Sequence, residues 1–271
     1  MLSKVLQYMR VGFYVKPGKW DKMNMPHFVK VANKIGITII RIDLSKSLDE
    51  QGPFDLIVHK SIDLFVQSNY FHNEIVKLQL QNFKNYITSH PEIPISNPLS
   101  FDELVTSRRK IFNALFKLQF NNNCIIPNLS ILTEKYVIKP DLACGSEIAH
   151  KFEFTNRSNA LILNENNRDV IVQPYFDTGN AVLKVYSIGN ITKVHVINPD
   201  SIKLDYNKTS IESIADVLRN AFECDLFGFD LVREIQSGNW YIVDLNSFSG
   251  IEVIPGFEEL LIKFFRQKLQ K

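Results

Sequence analysis

The sequence predicts a mixed α/β (α+β) fold of two or three lobes, on three observations. Near the N-terminus, apolar runs at residues 10–15, 37–42 and 54–59 surround one helical pattern, giving a β-α-β-β succession. After Pro127 the pattern changes to short strands separated by turns. Toward the C-terminus, residues 227–246 form two aromatic and β-branched runs around Gln236-Ser237-Gly238, the pattern of a hairpin. A chain of 271 residues is long for one core, so more than one lobe is the natural expectation.

Composition narrows the function classes. Hydrophobic residues make up 45% and charged residues 22%, which excludes a disordered chain. A net charge of +2 is too weak to point to nucleic acid, so any anion site must be a local cluster. Cys124, Cys144 and Cys224 are an odd number without metal-type spacing, which suggests free thiols in a reducing compartment. No run of about eighteen apolar residues occurs. The expectation is a cytoplasmic monomer with no membrane insertion and no nucleic-acid partner.

In chain order, the strand at 10–15 leads into Lys16-Pro17-Gly18-Lys19, read as a positively charged turn. A helix over 27–34 ends at Gly36, and the strand at 54–59 delivers Lys60 just beyond its carboxyl end. Ligands of open α/β sheets gather beyond the carboxyl ends of strands, which is where Lys19 and Lys60 fall. Taken singly, each is equally an ordinary solvated lysine. Apolar spacing predicts helices over 73–89 and 102–120, the second carrying the basic triplet Arg108, Arg109 and Lys110. Tyr136-Val137-Ile138-Lys139 then runs into a small-residue loop containing Gly145 and Ser146, a shape that lets backbone amides approach phosphates. It is neither a Walker A loop nor a dinucleotide fingerprint, and His150 beyond it reads equally as a surface histidine. Residues 169–175 form a buried strand whose polar end, Gln173-Pro174-Tyr175, can offer backbone groups to a purine edge. Residues 181–196 make a hairpin on Gly189-Asn190, with Lys184 among apolar neighbours; helices follow at 211–222 and 258–269.

The hairpin at 227–246 carries the most specific geometry. If Ile235 and Asn239 close a three-residue loop, Asp230 faces Asp244, and the period of two puts Asn246 on the same face. Two carboxylates and an amide in otherwise apolar strands form a set of hard oxygen donors suited to Mg²⁺; an exposed polar rim is the plainer alternative.

Together these features resemble the ATP-grasp fold, and more closely the inositol trisphosphate 5/6-kinase and tetrakisphosphate 1-kinase family. The resemblance rests on residues 42–60, on Val172-Gln173, on Val182-Leu183-Lys184-Val185-Tyr186, on Leu226-Phe227-Gly228-Phe229-Asp230, and on residues 243–250. It implies three lobes: an N-terminal α/β lobe over 1–100, a central ATP-grasp lobe over 101–172, and a C-terminal ATP-grasp lobe over 173–271. It implies a kinase that uses Mg²⁺ and ATP to phosphorylate a hydroxyl of an inositol tris- or tetrakisphosphate. Asp230, Asp244 and Asn246 would hold the metal; Arg108, Lys139, Gly145, Gln173, Pro174 and Tyr175 would border ATP. Lys19, Lys60, His150, Lys184 and Gly250 would meet the inositol phosphate, with Lys184 and His150 nearest the chemistry. A carboxylate ligase on the same fold and a binding protein with little turnover are the alternatives.

This chain also departs from the family. Ile197-Asn198-Pro199-Asp200 stands where the family places a substrate arginine, the loop over 201–210 is short, and Ser249 replaces the usual proline. Lys193, His195 and Lys203 are the nearby cations that could stand in for that arginine.

Overall fold

The structure, a computed structural model, describes residues 8–120, 124–198 and 206–270. Two compact units emerge: one holds the described residues of Met1–Leu99 and Gly250–Lys271, the other those of Ser100–Ser249.

The first unit begins with strand β1 (Met9–Tyr14), helices α1 (Pro17–Lys22) and α2 (Met25–Asn33), and strands β2 (Ile37–Arg41) and β3 (Leu56–His59). The three strands pair in parallel in the order β2-β1-β3. Helices α3 (Ile62–Asn69) and α4 (Glu74–Ser89) follow, and Asn73 caps α4 by accepting from the Val76 amide at 3.2 Å. Phe54, Ile57, Leu64, Phe65, Leu80 and Phe83 fill the core beneath them. The expected strands and both helices are present. The expected turn at 16–19 is instead the start of α1, because Pro17 occupies the first helical position, where its fixed φ and missing amide cost nothing.

The second unit opens with α5 (Leu99–Leu104) and α6 (Arg108–Leu115). The single helix expected over 102–120 is therefore broken. Ser107 adopts extended φ/ψ and accepts from the Lys110 amide at 3.2 Å, capping a new helix in the middle of the apolar stripe. Strands β4 (Cys124–Ile125) and β5 (Tyr136–Pro140) lead to a short 3-10 turn at Glu147–His150, then β6 (Glu153–Thr155), α7 (Arg157–Asn166) and β7 (Val170–Pro174). Strands β6, β5 and β7 form an antiparallel sheet in that order, backed by α7 through Tyr136, Ala160 and Val172. Strands β8 (Val182–Ile188) and β9 (Ile191–Ile197), helix α8 (Lys208–Phe222), and strands β10 (Leu226–Arg233) and β11 (Trp240–Ser247) complete the unit. Its larger sheet has the order β4-β11-β10-β8-β9.

The chain then returns to the first unit with α9 (Phe257–Lys268), whose Phe265 ring lies 6.1 Å from that of Phe28 on α2. Cys124, Cys144 and Cys224 form no disulfide with one another. Among the described residues, no helix is long and apolar enough to cross a membrane.

Candidate nucleotide and metal site

The hairpin of β10 and β11 aligns the acids as expected, but by another route. Asp230 does pair with Asp244, and Gly228 with Asn246. The turn, however, is closed by Glu234, whose amide donates to the Asn239 carbonyl at 3.0 Å, so the loop holds four residues, with Gly238 at φ +71°. A bulge between Asp230 and Leu231 takes up the shifted register. The two deviations cancel, which is why a shorter loop leads to the same opposition of carboxylates.

A row of charges runs across this sheet. Lys184 on β8 pairs with Asp230, which pairs with Asp244, and directly opposed residues share a face. The Lys184 ammonium donates to Asp230 Oδ2 at 2.7 Å, and Asn246 Nδ2 donates to Asp244 Oδ2 at 2.7 Å. Burial and the neighbouring Asp244 raise the Asp230 carboxyl above its usual range. Burial works against the Lys184 ammonium, but Asp230 outweighs it and the net shift is upward. The proximity of these acids disfavours two negative charges, a situation that a divalent cation relieves. Two carboxylates and an amide oxygen are hard donors, and a carboxylate holding one ammonium keeps lone pairs for a metal. The residues present therefore fit Mg²⁺.

Gly228 sits in a tight place. A Cβ there would stand 2.0 Å from Ser249 Oγ, a clash that rotation of the serine side chain relieves, and 3.1 Å from the backbone carbonyl of Val185, which has less freedom to move.

On β5, Lys139 Nζ donates to the Val243 carbonyl at 3.0 Å, next to Asp244. Burial pulls its pKa down to about 8, with Asp244 resisting and Arg108 adding to the fall. An anion bound beside it would favour the charged ammonium further. Arg108, at the start of α6, is buried and spends its guanidinium on carbonyls: Nη1 on Pro140 at 2.6 Å and Leu142 at 3.1 Å, Nη2 on Ala149 at 3.0 Å. It organises the loop after β5 as well as lying near Asp244. Phe152 lies beside both cations, 5.5 Å from Arg108 Cζ and 5.8 Å from Lys139 Nζ. Gly145 sits at φ +81° in that loop, and His150 is exposed at the end of the 3-10 turn.

Gln173 supplies a different signal. It is 3% exposed, yet neither amide atom has a partner, and it lines a cavity of about 220 Å³ with Arg109, Phe112, Asn128 and Asn164. A buried amide with both donor and acceptor open matches the paired donor and acceptor edge of a nucleobase. Pro174 is buried beside it and Tyr175 is exposed, its ring 5.0 Å from that of Phe154.

The substrate candidates divide between the units. Lys184 and His150 belong to the second. In the first, Lys60 follows β3 as expected, and Gly250 opens the 3-10 turn Ile251–Val253. Lys19 is not in an open loop: it is 7% exposed in α1 and donates to Glu252 at 2.5 Å.

Sequence reasoning missed Asp141 and Phe152. Asp141 accepts from Ser107 Oγ at 2.8–2.9 Å and from the Arg109 amide at 2.7 Å, tying the start of α6 to the end of β5. Its partners lie more than thirty positions away, so spacing carried no signal. Phe152 was visible only as one aromatic among many. Lys203, with Pro199, Asp200 and residues 201–205 of the short loop, lies outside the described residues.

Comparison with known proteins bears on the fold and the family. Solved ATP-grasp proteins share the fold: the macrocyclase MdnC from Microcystis aeruginosa (TM-score 0.65, 12% identity, 94% of this chain and 100% of that one) and D-alanine–D-alanine ligase from Bacillus anthracis (0.59, 12%, 97% and 98%). Among curated proteins, inositol-tetrakisphosphate 1-kinase of Danio rerio is 28% identical over 96% of this chain and 79% of its own length. The Xenopus laevis protein of the same name is 26% identical over 100% and 81%. Residues 10–101 match the inositol 1,3,4-trisphosphate 5/6-kinase pre-ATP-grasp domain, and residues 200–267 match the ATP-grasp domain of the same family. Since these two matches follow one another along the chain and together span more than half of it, the chain belongs to the inositol 1,3,4-trisphosphate 5/6-kinase family.

Proposed function

We propose that this protein is a Mg²⁺- and ATP-dependent kinase that transfers a phosphoryl group to a hydroxyl of an inositol tris- or tetrakisphosphate. The observation that carries the reading is the row Lys184–Asp230–Asp244, completed by Asn246 and set inside a chain of this family. The carboxylate-ligase alternative has only the shared fold in its favour, at 12% identity to the ligase named above.

Phosphoryl transfer needs positioning and charge neutralisation more than covalent help. Asp230, Asp244 and Asn246 hold the metal, which when bound neutralises charge on the transferring phosphates. Lys139 and the loop organised by Arg108, including the backbone at Gly145, face the phosphates, while Gln173, Pro174 and Tyr175 border the base. Lys184 stabilises negative charge beside Asp230, and His150 contacts the acceptor from the same unit. The family resemblance assigns Lys60 and Gly250 to the acceptor as well. Lys19, its charge matched by Glu252, acts by holding the segment that begins at Gly250.

Incubating the purified protein with Mg²⁺-ATP and a panel of inositol tris- to pentakisphosphates, with products resolved by chromatography, tests the proposal. A new, more highly phosphorylated species is expected. ATP binding without any such product overturns the kinase reading and leaves a binding protein.

A further inference from the structure

The row of charges does not stop at Lys184. On the next strand His195 pairs directly with Lys184, and Lys193 pairs with Tyr186, so both cationic positions lie on the face that carries Asp230 and Asp244. Strand β9 is the last in its sheet, and both residues are exposed. Among the described residues, neither has a side-chain hydrogen bond or ion pair. The other two lysines of the site are engaged: Lys139 on the Val243 carbonyl, Lys184 on Asp230.

Strand spacing sets the distances. Neighbouring strands lie about 4.8 Å apart, so the backbone at His195 stands about 10 Å from that at Asp230. Lys193 lies two residues along, roughly 7 Å further down the strand. Those separations are of the size of a phosphorylated six-membered ring. A ring presenting one hydroxyl near the metal ligands would extend its other phosphates toward β9. A polyanion delivered there needs N–H donors, and the Lys193 ammonium and the His195 imidazole offer them.

We propose that His195 and Lys193 bind a phosphate of the acceptor and so help to select which inositol phosphate is taken, an inference that rests on the kinase reading above. The plainer role for charged residues on an outer strand is to blunt the sheet edge against self-association. That role predicts no effect on acceptor binding, so the two are separable.

The test uses the full chain. Calorimetric titration with inositol 1,3,4-trisphosphate, in the presence of Mg²⁺ and a non-hydrolysable ATP analogue, compares the natural protein with His195→Ala, Lys193→Ala and the double variant. Each single change is expected to weaken acceptor binding by about tenfold, with affinity for the ATP analogue within about twofold. In steady state the same variants should raise the KM for the acceptor and leave kcat and the KM for ATP nearly unchanged. His195→Arg should restore acceptor affinity. Unchanged acceptor affinity in the double variant overturns the assignment and leaves the edge-blunting role. A natural protein that binds the trisphosphate but does not turn it over overturns the kinase reading alone, and the variants' affinities still decide the role of β9. A natural protein that binds no inositol phosphate overturns both.

Discussion

Two lysine–carboxylate pairs, one in each compact unit, have similar separations and opposite characters. Lys19 and Glu252 meet at 2.5 Å with side chains 8% and 9% exposed, whereas Lys184 and Asp230 meet at 2.7 Å with 40% and 22% exposure. In the first pair burial dominates the lysine and lowers its pKa; in the second the carboxylate dominates and raises it. The first pair is sealed and joins two segments of chain distant in sequence. The second faces a further carboxylate, Asp244, and is more open to solvent. A buried pair is costly to break and dispensable as a unit, while an open pair beside a like charge is chemically useful and structurally minor.

The largest expected effect tests the open pair's setting. Asp244→Ala should reduce transfer by about a thousandfold or more while the far-ultraviolet circular dichroism stays that of the natural protein. Activity retained in that variant would refute the metal assignment and remove the contrast between the pairs. Next, Lys19→Met leaves Glu252 buried and uncompensated, and should cost about 3–5 kcal/mol in chemical denaturation. The double variant Lys19→Met/Glu252→Leu should recover most of that loss. By contrast, Lys184→Met should change stability by about 1 kcal/mol or less and slow transfer by about a hundredfold. A reversed pattern, with the Lys184 variant unstable and the Lys19 variant merely slow, would exchange the roles.

The smallest effect is one of pH. Burial works to raise the Glu252 carboxyl, but Lys19 more than offsets it, and the net shift is downward. A carboxyl depressed in the folded state contributes stability above its unfolded pKa, about 4.3, and that stability is lost as pH falls through the folded value. The gap in melting temperature between the natural protein and Glu252→Gln should therefore narrow as pH drops below the ordinary carboxylate range. A gap that stays constant under acid would show that the charge of Glu252 adds nothing.

What the sequence made legible follows the same division between local and distant causes. The strands at 9–14, 37–41 and 56–59 and helix α4 rest on period and short-range pattern, whereas the opposition of Asp230 and Asp244 was expected through a three-residue loop that the structure replaces with four residues and a compensating bulge. Lys19 was misplaced in an open turn because its partner lies 233 positions away, and no spacing rule connects them. The single helix expected over 102–120 followed its apolar stripe, which continues past Ser107, whereas the break depends on Asp141 gripping that serine from β5. Arg108 was visible as one of three clustered charges; that its guanidinium would close on three carbonyls of a loop more than thirty residues later was not. Residues 102–199, which hold Lys139, Gln173 and Lys184, fall between the two family-domain matches, although the curated relatives align across them.

The bulge beside Asp230 has a practical corollary for altering the molecule. Asp230 is held in register by Lys184 on one side and Asp244 on the other, while the turn at 234–239 lies beyond the bulge. Register is thus pinned from the neighbouring strands and not from the turn, and slack introduced at the tip has an irregular step to dissipate in before it reaches the acids. Gln236 and Ser237, exposed at that tip, are a permissive point for grafting a peptide or a fluorescent reporter without disturbing Asp230 and Asp244.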